Sequence, residues 1–281
     1  MKVMLTGGKG MLGRTLAKEL RGFEVVPTDL PDCDICDLAA ITARVCEIKP
    51  DAVVHCAAMT QVDLCESNME KAFRINGKGT ANVAYACKKA GARLIAISTD
   101  YVFPGDGTGA YSESAIATGG ATVYGRSKFA GENAAREILP TCVIARIAWL
   151  YGAGGPSFVH TMLSLADKGL KEIKVVDDQR GNPTSTLAVA RALCGILGDR
   201  RLEGIFHLTC EGEATWCDFA REIFRLAKRD VRVLPCTTAE FPRPAPRPAN
   251  SCLAKDSLRK ANLPQMPHWK DALAEFFAAG I

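Results

Sequence analysis

A glycine-rich loop near the start of the chain constrains the fold more than any other feature of the sequence. A short apolar run over residues 2–6 ends in the loop Gly7–Gly13, and residues 11–20 then show helical periodicity. Glycines between a strand and a helix allow a tight turn and close approach of the backbone to a ligand. The unpaired N–H groups and the dipole at the start of the helix favour an anion such as a pyrophosphate. The loop therefore predicts a dinucleotide-binding unit, with the cofactor-binding residues Gly7, Gly10, Met11, Leu12 and Gly13.

Strand and helix signals alternate through the first half of the chain. Strands are predicted over residues 2–6, 23–26, 52–57, 94–97 and 142–147, and helices over residues 11–20, 68–90 and 123–138. Near-continuous apolar strands between helices are typical of a parallel sheet that is covered on both faces. We therefore expect residues 1–150 to form an α/β, doubly wound, Rossmann-type domain that binds a dinucleotide.

The pattern weakens after Tyr151, where glycine and proline punctuate Gly152–Pro156. Helices near residues 157–168, 186–197 and 218–228 and strands near residues 173–176 and 204–208 are predicted to follow. We expect residues 151–281 to form mainly a smaller substrate-binding lobe, with some segments of about 170–210 returning to the main sheet. The prolines of Phe241–Pro248 lack an N–H donor, so this stretch is either a cover over the substrate or a surface linker.

Composition limits the partners of the chain. The net charge of +4 is spread over 35 basic and 31 acidic residues without a long run of either, so we expect no nucleic-acid or membrane partner. The N-terminal apolar run stops at residue 5, too early for a signal peptide or a membrane span, which predicts a cytoplasmic protein. Of 12 cysteines, only Cys33 and Cys36 form a C-x-x-C motif, without a second pair at metal-site spacing. A reducing compartment and no bound metal are expected, and the role of these two cysteines stays open.

Residues after the second and third predicted strands extend the cofactor site. Asp29 lies just beyond the second strand, where a carboxylate can hydrogen-bond the adenosine ribose and repel a 2′-phosphate. This favours NADH over NADPH, although Lys9 would partly offset the repulsion, so both cofactors stay open. Residues beside the adenine and small residues after the third strand complete the predicted set: Asp34, Ile35, Ala57, Ala58 and Thr60.

A tyrosine and a lysine form the predicted reacting centre. Spacing of four puts Tyr124 and Lys128 on one helix face, one turn apart. A phenol has a pKa of about 10, and a nearby ammonium is expected to lower the pKa of Tyr124, which would make it a general acid for a carbonyl that receives hydride. Thr99, at the end of the fourth strand, can donate a second hydrogen bond to the same oxygen. Because such pairs occur by chance in many helices, the prediction depends on their combination with the glycine loop.

Together these residues resemble the extended short-chain dehydrogenase/reductase superfamily, and within it the dTDP-4-dehydrorhamnose reductases. The resemblance covers nearly the whole chain. Besides the glycine loop and the Tyr124 and Lys128 pair, it includes residues 57–63, 98–103, 146–151, 178–184 and 247–251.

The resemblance implies NAD(P)H-dependent reduction of the 4-keto group of dTDP-4-dehydro-L-rhamnose to dTDP-L-rhamnose. Tyr124 would donate the proton, Lys128 would bind the nicotinamide ribose and Thr99 would polarise the substrate. The resemblance also implies a sugar pocket lined by Thr60, Val62, Asp100 and Trp149. Arg247 is our candidate for the substrate diphosphate, since a guanidinium can form a forked contact to it.

The sequence departs from the family pattern in three places. Arg14 and Thr15 occupy a stretch where some members have an acidic residue that helps bind Mg²⁺ at a dimer interface. A homodimer stays open, but this difference puts a metal-bridged dimer in doubt. Ile147 stands where a threonine is usual, and residues 119–122 lack the usual proline.

Two alternatives to this function remain open. Another nucleotide-sugar 4-ketoreductase or an epimerase would share the fold, whereas a dehydratase is disfavoured because Tyr101 stands where its carboxylate would follow Thr99 and Asp100. The alternative of a different class is a non-catalytic regulatory subunit that binds NAD(P), such as the β subunit of methionine adenosyltransferase. The presence of Thr99, Tyr124 and Lys128 favours catalysis.

Overall fold

The computed structural model describes residues 1–280. Its strands in this range are β1 (Lys2–Thr6), β2 (Glu24–Thr28), β3 (Ala52–His55), β4 (Arg93–Thr99), β5 (Val143–Ile147), β6 (Leu150–Tyr151), β7 (Glu172–Val176), β8 (Arg180–Gly181), β9 (Thr184–Ser185), β10 (Gly204–His207), β11 (Ala214–Thr215) and β12 (Arg232–Cys236).

The α-helices of the same range are α1 (Met11–Glu19), α2 (Leu38–Ile48), α3 (Val62–Ser67), α4 (Met69–Ala72), α5 (Thr80–Ala90), α6 (Val123–Ile138), α7 (Phe158–Asp167), α8 (Thr186–Gly198), α9 (Trp216–Leu226), α10 (Asp256–Lys260) and α11 (Trp269–Ala278). Short 3₁₀ turns follow β4 at Asp100–Val102 and β12 at Thr238–Glu240. Among the described residues, each helix is too short or too polar to cross a bilayer.

Six parallel strands form the central sheet in the order β2-β1-β3-β4-β5-β10. The chain runs outward from β1 to β2 and then returns to the other side of β1 with β3, so the strand order reverses between β1 and β3. Such a switch point opens a crevice at the carboxyl ends of the strands, where α/β proteins bind ligands. The predicted α/β, doubly wound class is confirmed.

The central strands bury both of their faces. In β4, Ile95 and Ile97 belong to one apolar cluster, whereas Leu94 and Ala96 belong to another, and β1, β3 and β5 alternate in the same way. Residues of α1 and α8 complete the first cluster, and residues of α2 and α5 complete the second. Helices therefore cover both faces, which is why these strands read as nearly continuous apolar runs.

The second half of the chain adds three two-stranded sheets to this framework. They pair β6 with β9, β7 with β12, and β8 with β11. Of the stretch 170–210, β10 lies in the central sheet and α8 packs on α1, but β7 lies outside the central sheet. Residues from both halves share the first apolar cluster, so the predicted division near residue 150 does not coincide with a gap in the core.

The helix predicted over residues 68–90 is interrupted, which corrects the expectation. The chain forms α4, then a π-helix over Phe73–Gly79, and then α5. Within the π-helix, Asn76 accepts a hydrogen bond from the N–H of Met59 at 2.8 Å and donates to the Met59 carbonyl at 3.0 Å. The wider turn thus ties the helix to the segment that follows β3, and π-helical turns are frequent at functional sites.

A buried ion pair joins α6 to β5. Both guanidinium contacts of Arg146 to Glu132 are short, at 2.9 and 2.7 Å, and the two side chains are each 2% exposed. The Arg146 guanidinium also lies 4.9 Å from the centre of the Phe103 ring. Because charges at this depth have lost their hydration, each depends on the other for compensation.

We predict that Glu132→Gln lowers the free energy of unfolding by about 3–5 kcal/mol, because it leaves the Arg146 charge buried without its partner. Urea denaturation would measure the change. The double variant Glu132→Gln/Arg146→Met should be less destabilised than the single one, since it removes both charges. As a control, Glu47→Gln, in the exposed pair with Arg44, should change stability by less than about 0.5 kcal/mol. Equal effects at the two positions would contradict the prediction.

Candidate active site

One cavity of about 1370 Å³ runs along the carboxyl edge of the central sheet. All of the site residues predicted from the sequence line it: Gly7, Gly10, Met11, Leu12, Gly13, Asp29, Asp34, Ile35, Ala57, Ala58, Thr60, Val62, Thr99, Asp100, Tyr124, Lys128, Trp149 and Arg247. Residues separated by more than two hundred positions thus face a common space, which is large enough for a dinucleotide and a second ligand.

The glycine loop forms one end of the cavity at the strand switch point. Gly7 has a φ of +69°, and a Cβ there would lie 2.6 Å from the backbone N of Ala57. A Cβ on Gly13 would lie 2.8 Å from the Cα of Gly8. Only glycine fits these two positions, where the loop packs on itself and on the segment after β3. Gly10 caps α1 without a side-chain hydrogen bond, so the first N–H groups of the helix have no side-chain acceptor. This arrangement fits a pyrophosphate.

Asp29 shapes the neighbouring turn. Its Oδ2 accepts a hydrogen bond from the N–H of Lys9 at 2.8 Å, and its Oδ1 accepts one from the N–H of Leu30 at 2.8 Å. The Lys9 ammonium donates to the Leu30 carbonyl at 2.6 Å. A carboxylate and an ammonium therefore stand together at the end of β2, where the sequence predicts the adenosine ribose.

Tyr124 lies in the first turn of α6, which begins where Thr122 accepts a hydrogen bond from the N–H of Gly125 at 3.0 Å. Burial raises the pKa of Tyr124 above its usual value, a hydrogen bond with Thr99 acts to lower it, and the Asp100 carboxylate raises it further. The expectation of a lowered pKa is wrong for this arrangement, because burial outweighs the other groups that act on the phenol.

Lys128 is buried on the same helix, one turn beyond Tyr124. Its ammonium donates to the Ile97 carbonyl of β4 at 2.7 Å, and only 6% of the residue is exposed. Burial lowers the pKa of Lys128 to about 8, whereas the Glu132 carboxylate acts to raise it. The lysine is therefore anchored to the sheet rather than to the phenol, and it titrates near physiological pH.

Thr99 and Asp100 close the end of β4. The Thr99 hydroxyl donates to Asp100 Oδ1 at 2.9 Å, whereas Asp100 Oδ2 is buried without a protein partner. Burial raises the pKa of Asp100 to about 6, against hydrogen bonds from Ser251 and Thr99 that lower it. Ser251 lies in residues 247–251, the Arg-Pro segment, which carries part of the resemblance, but no pattern in the sequence predicts its contact with Asp100.

Arg247 faces the cavity, but its guanidinium already has protein partners. Nη2 donates to Asp63 Oδ2 at 2.9 Å and Nη1 donates to the Ala245 carbonyl at 2.9 Å. A carboxylate beside the proposed diphosphate contact was not foreseen. Two further cationic residues, Lys174 and Arg243, also line the cavity. Residues of Phe241–Pro248 therefore line part of the site, and the ion pair of Arg247 with Asp63 joins this stretch to α3.

Trp149 has a strained backbone and a stacked side chain. Its φ is +47°, a conformation that costs a bulky residue about 1–3 kcal/mol. Its ring stacks on that of Trp216, with centroids 3.5 Å apart and planes inclined by 5°. A Cβ on Gly181 would lie 2.6 Å from Nε1 of Trp149. Trp216 also lines the cavity and was missed, because it lies 67 positions after Trp149 and no local pattern links the two residues.

Cys33 and Cys36 also line the cavity. Burial raises the pKa of both thiols, so neither is activated as a thiolate. Among residues 1–280, no three His, Cys, Asp or Glu side chains group as metal ligands.

Comparison with known proteins is consistent with this geometry. The family model described as the RmlD substrate binding domain matches residues 1–280. The chain is 45% identical to a dTDP-4-dehydrorhamnose reductase of Streptomyces griseus, over 98% of this chain and 93% of that protein. The chain belongs to the RmlD family. The resemblance seen in the sequence is thereby confirmed.

Other members of the family widen the comparison. A probable dTDP-4,6-dihydroxy-2-methyloxan-3-one 4-ketoreductase of Streptomyces antibioticus is 41% identical over 99% of this chain and 95% of its own length. The crystal structure of a dTDP-4-dehydrorhamnose reductase from Clostridium acetobutylicum superposes with a TM-score of 0.96 at 43% identity, covering 99% of both chains. That of the Bacillus anthracis enzyme in complex with NADP also has a TM-score of 0.96, at 38% identity and 99% coverage of both chains.

Two of the three departures of this chain from the family pattern have local structural reasons, and nothing in the structure explains Ile147. Thr15 donates a hydrogen bond to the Thr186 hydroxyl at 2.9 Å, and Arg14 reaches the Gly154 carbonyl at 3.4 Å, so both side chains contact their own chain. Gly120 has a φ of +62°, and a Cβ there would lie 2.7 Å from the Phe103 carbonyl oxygen. Glycine at position 120 therefore lets the loop before Tyr124 pack closely on the segment after β4.

We predict that Lys128→Met abolishes activity but stabilises the protein at pH 7. The pKa of Lys128 falls from 10.5 to about 8 on folding, so the unfolded chain binds more protons between these values and stability rises with pH across that interval. Below pH 8 the cost of burying the ammonium is present in full. Replacing the ammonium by the Met side chain should raise the free energy of unfolding by about 1–3 kcal/mol at pH 7, after allowance for the lost hydrogen bond to Ile97.

Chemical denaturation at pH 7 and at pH 9.5 would measure this effect. The gain from Lys128→Met should shrink at the higher pH, and the exposed Lys88→Met should show neither a gain nor a pH dependence. A Lys128→Met protein that is less stable than the parent at pH 7 would contradict the assignment of a buried ammonium.

Proposed function

We propose that this protein reduces the 4-keto group of a nucleotide-linked 6-deoxyhexose with NADH or NADPH, its substrate being dTDP-4-dehydro-L-rhamnose and its product dTDP-L-rhamnose. The observation that carries the proposal is the convergence of Thr99, Tyr124 and Lys128 on the cavity that also holds the glycine loop. A relative named dTDP-4-dehydrorhamnose reductase, 45% identical over 98% of this chain, supports it.

The residues of the cavity fit a nicotinamide dinucleotide. The glycines of the loop and the free N–H groups of α1 would hold the pyrophosphate, and Asp29 would meet the adenosine ribose. The other residues predicted to contact the cofactor line the same cavity: Asp34, Ile35, Ala57, Ala58, Thr60, Tyr124 and Lys128. When bound, the reduced nicotinamide supplies a hydride to the carbonyl carbon.

Tyr124 is the proposed proton donor. Its raised pKa keeps the phenol protonated at neutral pH, so it is loaded before each turnover. The carbonyl oxygen becomes an alkoxide, which is a stronger base than a phenolate and can take this proton. The Thr99 hydroxyl, which donates to Asp100 Oδ1 in this structure, would turn to donate to the same oxygen, and the buried Lys128 ammonium would favour the phenolate that remains.

The substrate would occupy the part of the cavity beyond Tyr124. Thr60, Val62, Asp100 and Trp149 would contact the sugar. Arg247 would contact the diphosphate together with Arg243, and the Asp63 ion pair would hold the Arg247 guanidinium in place. Because these residues come from the loops after β3, β4 and β5 and from the Arg-Pro segment, both halves of the chain form the site.

Another 4-keto-6-deoxy sugar nucleotide is the second candidate substrate. The 4-ketoreductase relative of Streptomyces antibioticus, 41% identical to this chain, motivates it. Following NADH or NADPH oxidation with a panel of nucleotide-linked 4-keto sugars would decide between them. Stoichiometric oxidation supports a reductase, whereas conversion without net oxidation would indicate an epimerase. No turnover, with one stoichiometric protein partner in a pull-down, would indicate a regulatory subunit.

We predict that Tyr124→Phe lowers turnover by about two to four powers of ten while cofactor affinity stays nearly unchanged, because the ring remains and only the transferable proton is lost. Steady-state kinetics and cofactor titration would measure both quantities. Tyr101→Phe is the matched control, since Tyr101 lines the same cavity with its ring 5.5 Å from that of Tyr124, and its turnover should fall less than about threefold. Normal turnover in Tyr124→Phe would remove this residue from the mechanism.

Asp29 is proposed to favour NADH, with Lys9 retaining some use of NADPH. Asp29→Asn keeps a hydrogen-bond acceptor for the turn and removes the charge, so the ratio of kcat/KM for NADPH to that for NADH should rise about three- to tenfold. Asp29→Ala should shift the ratio in the same direction, and Lys9→Met should shift it in the opposite direction. An unchanged ratio in all three variants would show that neither side chain reaches the ribose.

A further inference from the structure

We propose that Trp216 is a positioning residue, which holds the indole of Trp149 in the wall of the cavity and thereby sets which sugar ring the site accepts. The inference rests on the function proposed above, since it takes Trp149 as a contact of the sugar. Trp216 would act through Trp149 and not on the reacting atoms.

The first observation is the unfavourable backbone conformation of Trp149. With a φ of +47°, the residue adopts a conformation that is rare for a bulky side chain. Such conformations persist only where the surroundings enforce them, and they are concentrated at ligand sites. A backbone hydrogen bond from Thr184 to the Trp149 carbonyl, at 3.2 Å, fixes the peptide but leaves the indole to its neighbours.

Two neighbours fix the indole: Gly181 lies in β8, and Trp216 directly follows β11, the strand that pairs with β8. Trp216 covers one face of the Trp149 ring, with the planes nearly parallel, and a Cβ added at Gly181 would run into Nε1, Cε2 and Cζ2, so the ring occupies the space that a side chain at position 181 would need. In the antiparallel pairing of β8 with β11, Gly181 lies opposite Ala214, two residues before Trp216. This pairing therefore brings Gly181 and Trp216 to the same side chain, that of Trp149.

Trp216 is itself held in orientation. It is the first residue of α9, and Thr215 and Asp218 form a capping box around that helix start. Its indole N–H donates to Gln179 Oε1 at 3.1 Å, and Gln179 Nε2 donates to the Thr238 hydroxyl at 2.9 Å. Because both ends of the indole are fixed in this way, Trp216 can act as a rigid support for Trp149.

The consequence is a constraint on substrate shape. With one face covered by Trp216, the Trp149 ring can meet a ligand only through its remaining surface. Trp149, Gln179 and Trp216 all line the cavity, and Trp149 is taken here as a contact of the sugar, whereas the glycine loop and Asp29 are taken as contacts of the dinucleotide. A shift of the stacked pair would therefore change contacts with the sugar and leave those with the dinucleotide intact.

Three variants test the proposal without altering Trp149. Trp216→Leu removes the flat ring, Trp216→Phe keeps an aromatic ring, and Gly181→Ala pushes on the indole because the added Cβ would lie 2.6 Å from Nε1. We expect Trp216→Leu and Gly181→Ala each to raise KM for the keto sugar nucleotide about tenfold or more, with kcat changed less than about threefold. Trp216→Phe should stay within about threefold of the parent in KM, and no variant should change KM for the cofactor.

Trp269→Phe is the matched control, because this tryptophan packs edge-on against Phe219 in the core of the same half and does not line the cavity. Its KM should equal that of the parent. If Trp216→Leu does not fold, as judged by circular dichroism, Gly181→Ala tests the same contact. Parental KM values in every folded variant, or a fall confined to kcat, would overturn the inference. A parent protein without reductase activity would instead refute the proposed function.

Discussion

The buried ammonium of Lys128 is the interaction on which the rest of the site depends. It donates to the Ile97 carbonyl of β4, one helical turn from Tyr124, and the Glu132–Arg146 pair lies one turn further along the helix. Taking these charges out of water is costly, so the protein tolerates them only where each has a fixed partner. That requirement fixes α6 against β4 and β5, and it places the phenol at the carboxyl edge of the sheet.

The second half of the chain turns this edge into an enclosed site. The β8 and β11 pair supports Trp149 through Gly181 and Trp216, and the Arg-Pro segment reaches α3 through the ion pair of Arg247 with Asp63. These contacts join residues far apart in the chain, so the substrate side of the cavity depends on long-range packing. The cofactor side, by contrast, depends mainly on the local backbone of the glycine loop.

This difference explains what could be predicted from the sequence. The glycine loop, the parallel strands and the Tyr124 and Lys128 spacing have periodic or local signatures, and all of the predicted site residues line one cavity. The π-helix at Phe73–Gly79 was missed because it replaces a helical pattern that looks continuous in the sequence. The stack on Trp216, the hydrogen bond of Ser251 and the ion pair of Asp63 leave no local signature. The raised pKa of Tyr124 was not predicted either. Spacing along a helix shows neither how deeply the phenol is buried nor that the Lys128 ammonium donates to the Ile97 carbonyl.

Isotope transfer from the cofactor tests the central claim most directly. With a nicotinamide cofactor deuterated at the transferable position of C4 and dTDP-4-dehydro-L-rhamnose as substrate, mass spectrometry and NMR would follow the label. The account predicts one cofactor oxidised per sugar reduced and a single deuterium at C4 of the product. An unlabelled product, or conversion of the sugar without net oxidation of the cofactor, would contradict it.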